Sequence, residues 1–358
     1  MPRKSLLLLV ALLLAVAPVL ASEDEEIVRR HDGKPDLTGV YDAGTVTPVD
    51  RPLQFGNELY LSAEEAEKME KAAADLWEAA EANKNGDGPR TAPKKGGDGD
   101  NRFGGGGVGG YNAFWIDPGT EAVMVDGKFR TSIIYEPENG RRPAMTPYGM
   151  KTMITNFASF TYVNDGTASW LDKEGPGPFD GPETLALAER CLLGFSGGPP
   201  MLPSLYNNYL RIVQTDDYVM IMAEMVHDAR IVKIDGDYNE HSVDEWLGDS
   251  IGRWDGDTLV VETKNFRNET GLYGGSDELY VEERFSRAEN GNLNYHFRVV
   301  DEKSWTAPWA GEYEWQDRTA DSKVYEYACH EGNYAMTNVL KGARLLESEY
   351  DNPPKTRD

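Results

Sequence analysis

The chain holds little cysteine and little histidine. It has 2 Cys and 5 His in 358 residues. That excludes a disulfide-dense scaffold and a cysteine-rich metal module. Positive charge is also scarce. Lys and Arg number 36 against 61 Asp and Glu, for a formal net charge of −25. Such a surface repels nucleic acid and anionic lipid, so neither is expected as a main partner. Past the N-terminus no stretch is apolar enough to cross a bilayer, and no membrane insertion is expected. Catalytic signatures are missing as well. There is no nucleophile elbow, no dinucleotide-binding glycine fingerprint after a strand, no haem-attachment motif and no short His-x-x-x-His pair. The sequence calls for no cofactor.

The one long apolar run is N-terminal. Arg3 and Lys4 precede a run from Leu6 to Leu20, interrupted by Pro18. Val19-Leu20-Ala21 then offers a cleavage site, and the acidic Glu23–Glu26 follows. These features predict a secretory signal peptide over 1–21, cut after Ala21, and a periplasmic or extracellular protein. In an oxidising compartment the two cysteines, Cys191 and Cys329, are expected to pair as one disulfide, with two buried thiols as the alternative.

Residues 22–34 are charged and aperiodic, which predicts a flexible tail. Residues 35–205 form an N-terminal α/β segment expected to wrap the rest. Within it Ser62 and Glu65 have capping-box spacing. Ala66, Met69, Ala73, Leu76, Trp77 and Ala80 then follow at helical spacing. A glycine-rich insertion covers 86–110. It lacks the strand-before, helix-after context of a phosphate cradle. Asp98, Asp100 and Asn101 there do not form a calcium-loop pattern. Val123–Val125 and Phe129–Tyr135 around Asp126-Gly127 predict a hairpin. Helices are expected near Tyr148–Phe157 and Pro182–Leu193.

Beyond Tyr206 short strands come in series: Arg211–Val213, Tyr218–Val226, Ala229–Ile234, Thr258–Thr263, Leu279–Phe285, Leu293–Val300, Trp309–Trp315 and Val324–Cys329. Turn pairs such as Asp255-Gly256 and Asn290-Gly291 join them. The fold class is therefore mainly β: an antiparallel meander over 206–335 closing as a lipocalin-like barrel, followed by a C-terminal tail over 336–358. A barrel of about eight strands has room for one small ligand.

Several segments carry a family likeness: Pro35–Val40, Arg130–Ser132, Glu189–Leu192, Gly198–Pro203, Glu224–Arg230, Gly248–Ser250, Gly252–Thr263 and Tyr325–Tyr334. Together they resemble a large family of exported, uncharacterised bacterial proteins. The likeness runs from about Pro35 to Arg344. The glycine-rich insertion departs from the family pattern, as does Tyr41, where members often carry tryptophan. The resemblance implies export and a single fold, and it transfers no catalytic residue.

Chemistry-bearing residues gather at predicted strand ends. His227 follows Val219, Ile221, Ala223 and Met225 on one strand face, which points it toward the core at a barrel mouth. Asp228 and Arg230 come next on the opposite face. Glu283 sits between Val281 and Phe285, where desolvation would raise its pKa, or it pairs with an arginine. His330 and Glu331 project past Cys329. Two functions stay open: a cofactor-free lyase, isomerase or hydrolase using general acid–base chemistry at these residues, or a binding protein for a small apolar or aromatic ligand. A zinc site from His227, His330 and a carboxylate is a minor third option. Convergence of His227, Glu283 or His330 on one pocket would favour the enzyme. An apolar pocket lacking all of them would favour binding.

Overall fold

The computed structural model describes residues 27–84, 117–162, 165–239 and 243–351. The predicted signal peptide and the glycine-rich insertion lie outside the described residues.

Among the described residues there are thirteen strands: β1 Gly39–Asp42, β2 Tyr60–Leu61, β3 Met124–Val125, β4 Lys128–Arg130, β5 Ile134–Glu136, β6 Tyr209–Gln214, β7 Tyr218–Ala223, β8 Ala229–Ile234, β9 Asp249–Asp255, β10 Thr258–Lys264, β11 Tyr280–Arg287, β12 Leu293–Val300 and β13 Trp309–Asp317. Four helices accompany them: α1 Ala63–Lys84, α2 Pro147–Asn156, α3 Ala158–Thr161 and α4 Tyr334–Asp351.

The fold is a closed, mainly β barrel. Its strand order is β1-β6-β7-β8-β9-β10-β11-β12-β13, and β1 also pairs with β13 to close the ring. Nine strands form it. β5 adds to β13 outside the ring. Every step is antiparallel except one. β8 and β9 run parallel, Val232 opposite Ser250. β9 therefore does not follow β8 as a hairpin partner, and the simple meander is broken there.

Alternation explains the strands. In β12, Leu293, Tyr295, Phe297 and Val299 are buried while their neighbours are half-exposed. β11 buries Val281, Glu283 and Phe285, and β7 buries Val219, Ile221 and Ala223. Turns fall where small polar residues permit a left-handed backbone. Asp126 and Gly127 have φ of 49° and 72° between β3 and β4, a conformation glycine and aspartate tolerate.

Four expectations need correction. First, Val324–Cys329 forms no strand. β1 already occupies the free edge of β13, so no ladder partner remains and the segment runs as an extended strap. Second, β7 stops at Ala223 instead of continuing to Val226, because Val226 and His227 adopt φ of 61° and 51° and reverse the chain. Third, Pro182–Leu193 forms no long helix: it holds one tight helical turn at Pro182–Thr184 and a second hydrogen-bonded turn in which Arg190 N donates to Ala186 O at 3.1 Å. Fourth, residues 27–34 are tied down. Arg29 Nη1 and Nη2 lie 2.8 and 2.6 Å from the Asp257 carboxylate, and Arg30 Nη1 donates to Gln214 O at 2.7 Å. The C-terminal segment forms α4, and the capping box of α1 is made: Ser62 N donates to Glu65 Oε2 at 2.8 Å. Leu76 on α1 is exposed.

The barrel bore is filled. Tyr295 stacks at 4.5 Å on Trp315, with Phe285, Tyr313 and Tyr41 around them. Trp305, Trp309 and Phe297 pack further along. The Gly198–Pro203 segment enters the bore as a plug. Met201 N donates to Tyr295 Oη and Met201 O accepts from Tyr313 Oη, both at 2.8 Å. The room expected for a ligand inside the barrel is taken by these side chains.

Candidate functional site

A second apolar cluster sits outside the barrel. Trp170, Phe179, Leu185 and Ala168 pack with Ala343 of α4, and Tyr162, Met336, Leu340 and Leu346 lie against them. Between this cluster and the barrel wall is a cleft of about 740 Å³, bounded by α2, α3, the loops 169–188 and 193–195, and the loop 269–273. That volume lies within the usual range for small-molecule sites.

Both walls of the cleft are aromatic. On one side Tyr162 and Trp170 meet edge-to-face at 5.4 Å, and Phe179 backs Tyr162 edge-to-face at 5.3 Å. On the other, Phe157 meets Tyr273 at 4.2 Å and Phe195 meets Tyr273 at 6.3 Å. Edge-to-face contacts fix ring orientations, so the walls present defined surfaces. Burial pushes the Tyr273 phenol up to about 12, so it stays a neutral donor at ordinary pH. Lys173 and Glu183 stand at the exposed rim.

Three consecutive residues anchor the cleft. The Glu189 carboxylate accepts from Ser159 Oγ at 2.5 Å and from Ala186 N at 2.9 Å. Arg190 Nη1 pairs with Glu269 Oε2 at 3.3 Å. Cys191 is joined to Cys329 in a disulfide across a sequence separation of 138. One short segment thus holds α3, the 269–273 loop and the C-terminal strap together.

The residues singled out from sequence fall in three separate places, and none of them lines the cleft. Arg230 and Glu283 are inside the barrel, 2 % and 0 % exposed, and paired with each other. Glu283 is thus an arginine's partner, the structural alternative foreseen for it. His227 is exposed, not core-facing; the left-handed turn swings it out, and its Nδ1 lies 3.2 Å from Tyr327 O. Asp228 is half-buried beside it. Its Oδ2 accepts from Gly194 N at 2.7 Å, and a Cβ placed on Gly197 would fall 2.5 Å from the same oxygen. Burial pushes the Asp228 carboxyl up to about 6, against the opposing effects of the Gly194 hydrogen bond and the neighbouring His227. His330 and Glu331 lie exposed in a turn just past the disulfide. Among the described residues no three His, Cys, Asp or Glu side chains gather as a metal site.

Of the sequence candidates, Asp228 alone approaches the cleft, separated from it by the Gly194 backbone. The aromatic residues that line the site, Phe157, Tyr162, Trp170, Phe195 and Tyr273, are not among those candidates. Their signal is an unusual density of aromatics through 157–179, in a stretch without strand or helix periodicity.

Comparison with known proteins gave no matching family model, no matching curated protein and no matching solved structure. Among the described residues no helix is long and apolar enough to cross a membrane.

Proposed function

We propose that this chain is a binding protein for a small, flat or apolar molecule, taken up in the cleft outside the barrel. The observation that carries the reading is the pair of aromatic walls facing a cleft of about 740 Å³. His227, Glu283 and His330 all stand elsewhere. Ring faces and edges recognise aromatic or apolar ligands through dispersion and quadrupole contacts, with few directed hydrogen bonds. Thr155, Asn156, Thr161 and Thr270 supply polar groups to the lining, and Lys173, Glu183 and Glu269 add charge. The leader-like N-terminus and the Cys191–Cys329 disulfide support action outside the cytoplasm, in a periplasmic or extracellular setting.

A second reading rests on Asp228. A carboxyl pushed to about 6 can give or take a proton near neutrality. It stands one backbone away from the cleft, at Gly194. An acid–base enzyme would need the 194–197 segment to shift and admit Asp228 to the ligand.

The test is titration with the neutral fluorophore N-phenyl-1-naphthylamine. Saturable one-to-one binding is expected. It should be abolished by Ala188→Trp, which fills the cleft without opening a hole. Unchanged binding in that variant would move the ligand site elsewhere. Turnover of any screened ligand that disappears in Asp228→Asn would favour the enzyme.

A further inference from the structure

The aromatic wall formed by Tyr162 and Trp170, with Phe179 packed behind it, does not belong to the barrel core. Its cluster draws its buried and packed members from residues 162–185 and from α4. α4 holds that wall at three polar points. Trp170 Nε1 donates to Glu347 Oε1 at 3.2 Å, Arg344 Nη2 donates to Phe179 O at 2.6 Å, and Tyr350 Oη donates to Asp172 Oδ1 at 2.5 Å. The position of the wall therefore depends on the position of α4.

α4 is in turn attached to the barrel by the strap at 322–333, which has no strand partner. Ahead of Cys329 two hydrogen bonds hold the strap: Tyr325 N donates to Glu224 Oε2 at 3.0 Å, and Tyr327 O meets His227 Nδ1 at 3.2 Å. The third hold is covalent, Cys329 to Cys191. Asn333 joins this bond to α4. Its Nδ2 donates to Glu189 O at 2.8 Å and lies 3.4 Å from Cys191 Sγ, while its Oδ1 accepts from Met336 N at 3.2 Å and so caps α4.

We propose that the Cys191–Cys329 disulfide, coupled through Asn333, is a thiol-reducible latch that holds the aromatic wall of the cleft in place, so that ligand occupancy responds to dithiol reductants. The proposal rests on the reading of the cleft as a ligand site. Cys191 is 3 % exposed and Cys329 is more open. A reductant thiolate therefore attacks Cys329 Sγ, and Cys191 leaves as the thiolate with Asn333 Nδ2 already beside it. The second thiol of the reductant then attacks the mixed disulfide, releases Cys329 and closes its own disulfide. Two electrons and two protons pass from the dithiol to the protein. What remains is the Tyr325 and Tyr327 hydrogen bonds on the strap, one of them to an exposed histidine, and the origin of α4 is left to the single Asn333–Glu189 hydrogen bond.

The test uses the full mature chain with N-phenyl-1-naphthylamine as probe, titrated before reduction with dithiothreitol, after it, and after reoxidation. Affinity is expected to fall at least tenfold on reduction and to return on reoxidation. Hydrogen exchange should speed up in 165–188 and 334–351 while β11, β12 and β13 keep their protection. The Cys191→Ser, Cys329→Ser double variant should behave as the reduced protein. Asn333→Asp retains an acceptor for the α4 cap but loses both donors, so it should raise exchange in α4 with the disulfide intact. Unchanged affinity and exchange on reduction would overturn the latch. Loss of protection throughout the barrel would also overturn it, since the bond would then be a global staple. If the oxidised protein binds no probe, the ligand reading of the cleft fails, and the exchange pattern alone still decides whether the disulfide positions the wall.

Discussion

Arg230 and Glu283 meet across the barrel bore as a sealed ion pair. Both guanidinium Nη atoms face the carboxylate, Nη2 to Oε1 at 2.9 Å, and Tyr295 Oη donates to the same Oε1 at 2.8 Å. Arg230 Nη1 also reaches Thr263 Oγ1 at 3.1 Å, which lies 2.8 Å from Ser250 Oγ. The network links β8, β9, β10, β11 and β12, so it fixes their relative register, including the parallel β8–β9 step. A buried pair of this kind adds little net stability over an apolar pair, but breaking one side is costly.

Arg230→Met should therefore destabilise the protein by roughly 3–5 kcal/mol, because the buried Glu283 carboxyl loses its guanidinium partner and keeps only the Tyr295 hydroxyl. Adding Glu283→Leu should restore most of the loss, short of about 1 kcal/mol for the Tyr295 hydroxyl that loses its acceptor. Urea unfolding followed by tryptophan fluorescence measures both. A single variant as stable as the parent would mean the pair is not sealed from water.

His227→Ala should change stability by less than about 1 kcal/mol, since the ring is exposed and makes one hydrogen bond to the strap. His227→Gly should stabilise by up to about 1 kcal/mol, because φ of 51° is strained for any residue with a Cβ. Thermal melts of the two variants separate these effects. A glycine variant less stable than the alanine variant would show that the left-handed turn is not a source of strain.

Much of the barrel could be read from sequence because its strands alternate cleanly. Leu293, Tyr295, Phe297 and Val299 announce β12, and the Trp309–Asp317 strand is equally plain. β9 escaped because Asp249, Gly252 and Asp255 lower its strand propensity and its partner β8 runs parallel at a distance in sequence. The Val324–Cys329 strap reads as a strand because Tyr325, Tyr327 and Cys329 fall two apart. Only the closed ring, with β1 against β13, shows that no edge was free. His227 was misplaced because nothing local foretells a β-branched Val226 at φ 61°. The cleft was illegible for a different reason. It is bounded by the end of α2, by α3 and by the loops 169–188, 193–195 and 269–273, with α4 behind one wall, and tertiary packing brings these together without any periodic signal.

Trp170→Ala should remove roughly 3–5 kcal/mol from the second cluster, given that Trp170 is 4 % exposed and touches Tyr162 and Phe179. The loss should stay local. Hydrogen exchange in α4 should accelerate and probe binding should weaken, with the β11–β13 amides protected as before. Uniform loss of protection would show that the barrel and the second cluster unfold as one unit.

The last prediction concerns pH. The Asp228 carboxyl sits at about 6 in the fold against an ordinary 3.8, chiefly because burial disfavours its charged form. Between these values the folded state holds a proton that the unfolded chain has released. Folding is then favoured in acid, and the contribution is full below pH 3.8 and lost as pH rises through 6. Above pH 6 the protein carries the full cost of an ionised, half-buried carboxylate. Asp228→Asn is neutral throughout and its carbonyl can still accept from Gly194 N. The variant should match the parent near pH 4 and exceed it above pH 6.5 by on the order of 1–3 kcal/mol. Asp42 is shifted the same way by burial, so the parent's slope contains both groups. The difference between parent and variant cancels Asp42 and isolates Asp228. Urea unfolding at half-unit steps from pH 4 to pH 8 supplies the two curves. Curves that run parallel would show that Asp228 titrates at its ordinary pKa, and with that the acid–base reading of this residue would lose its support.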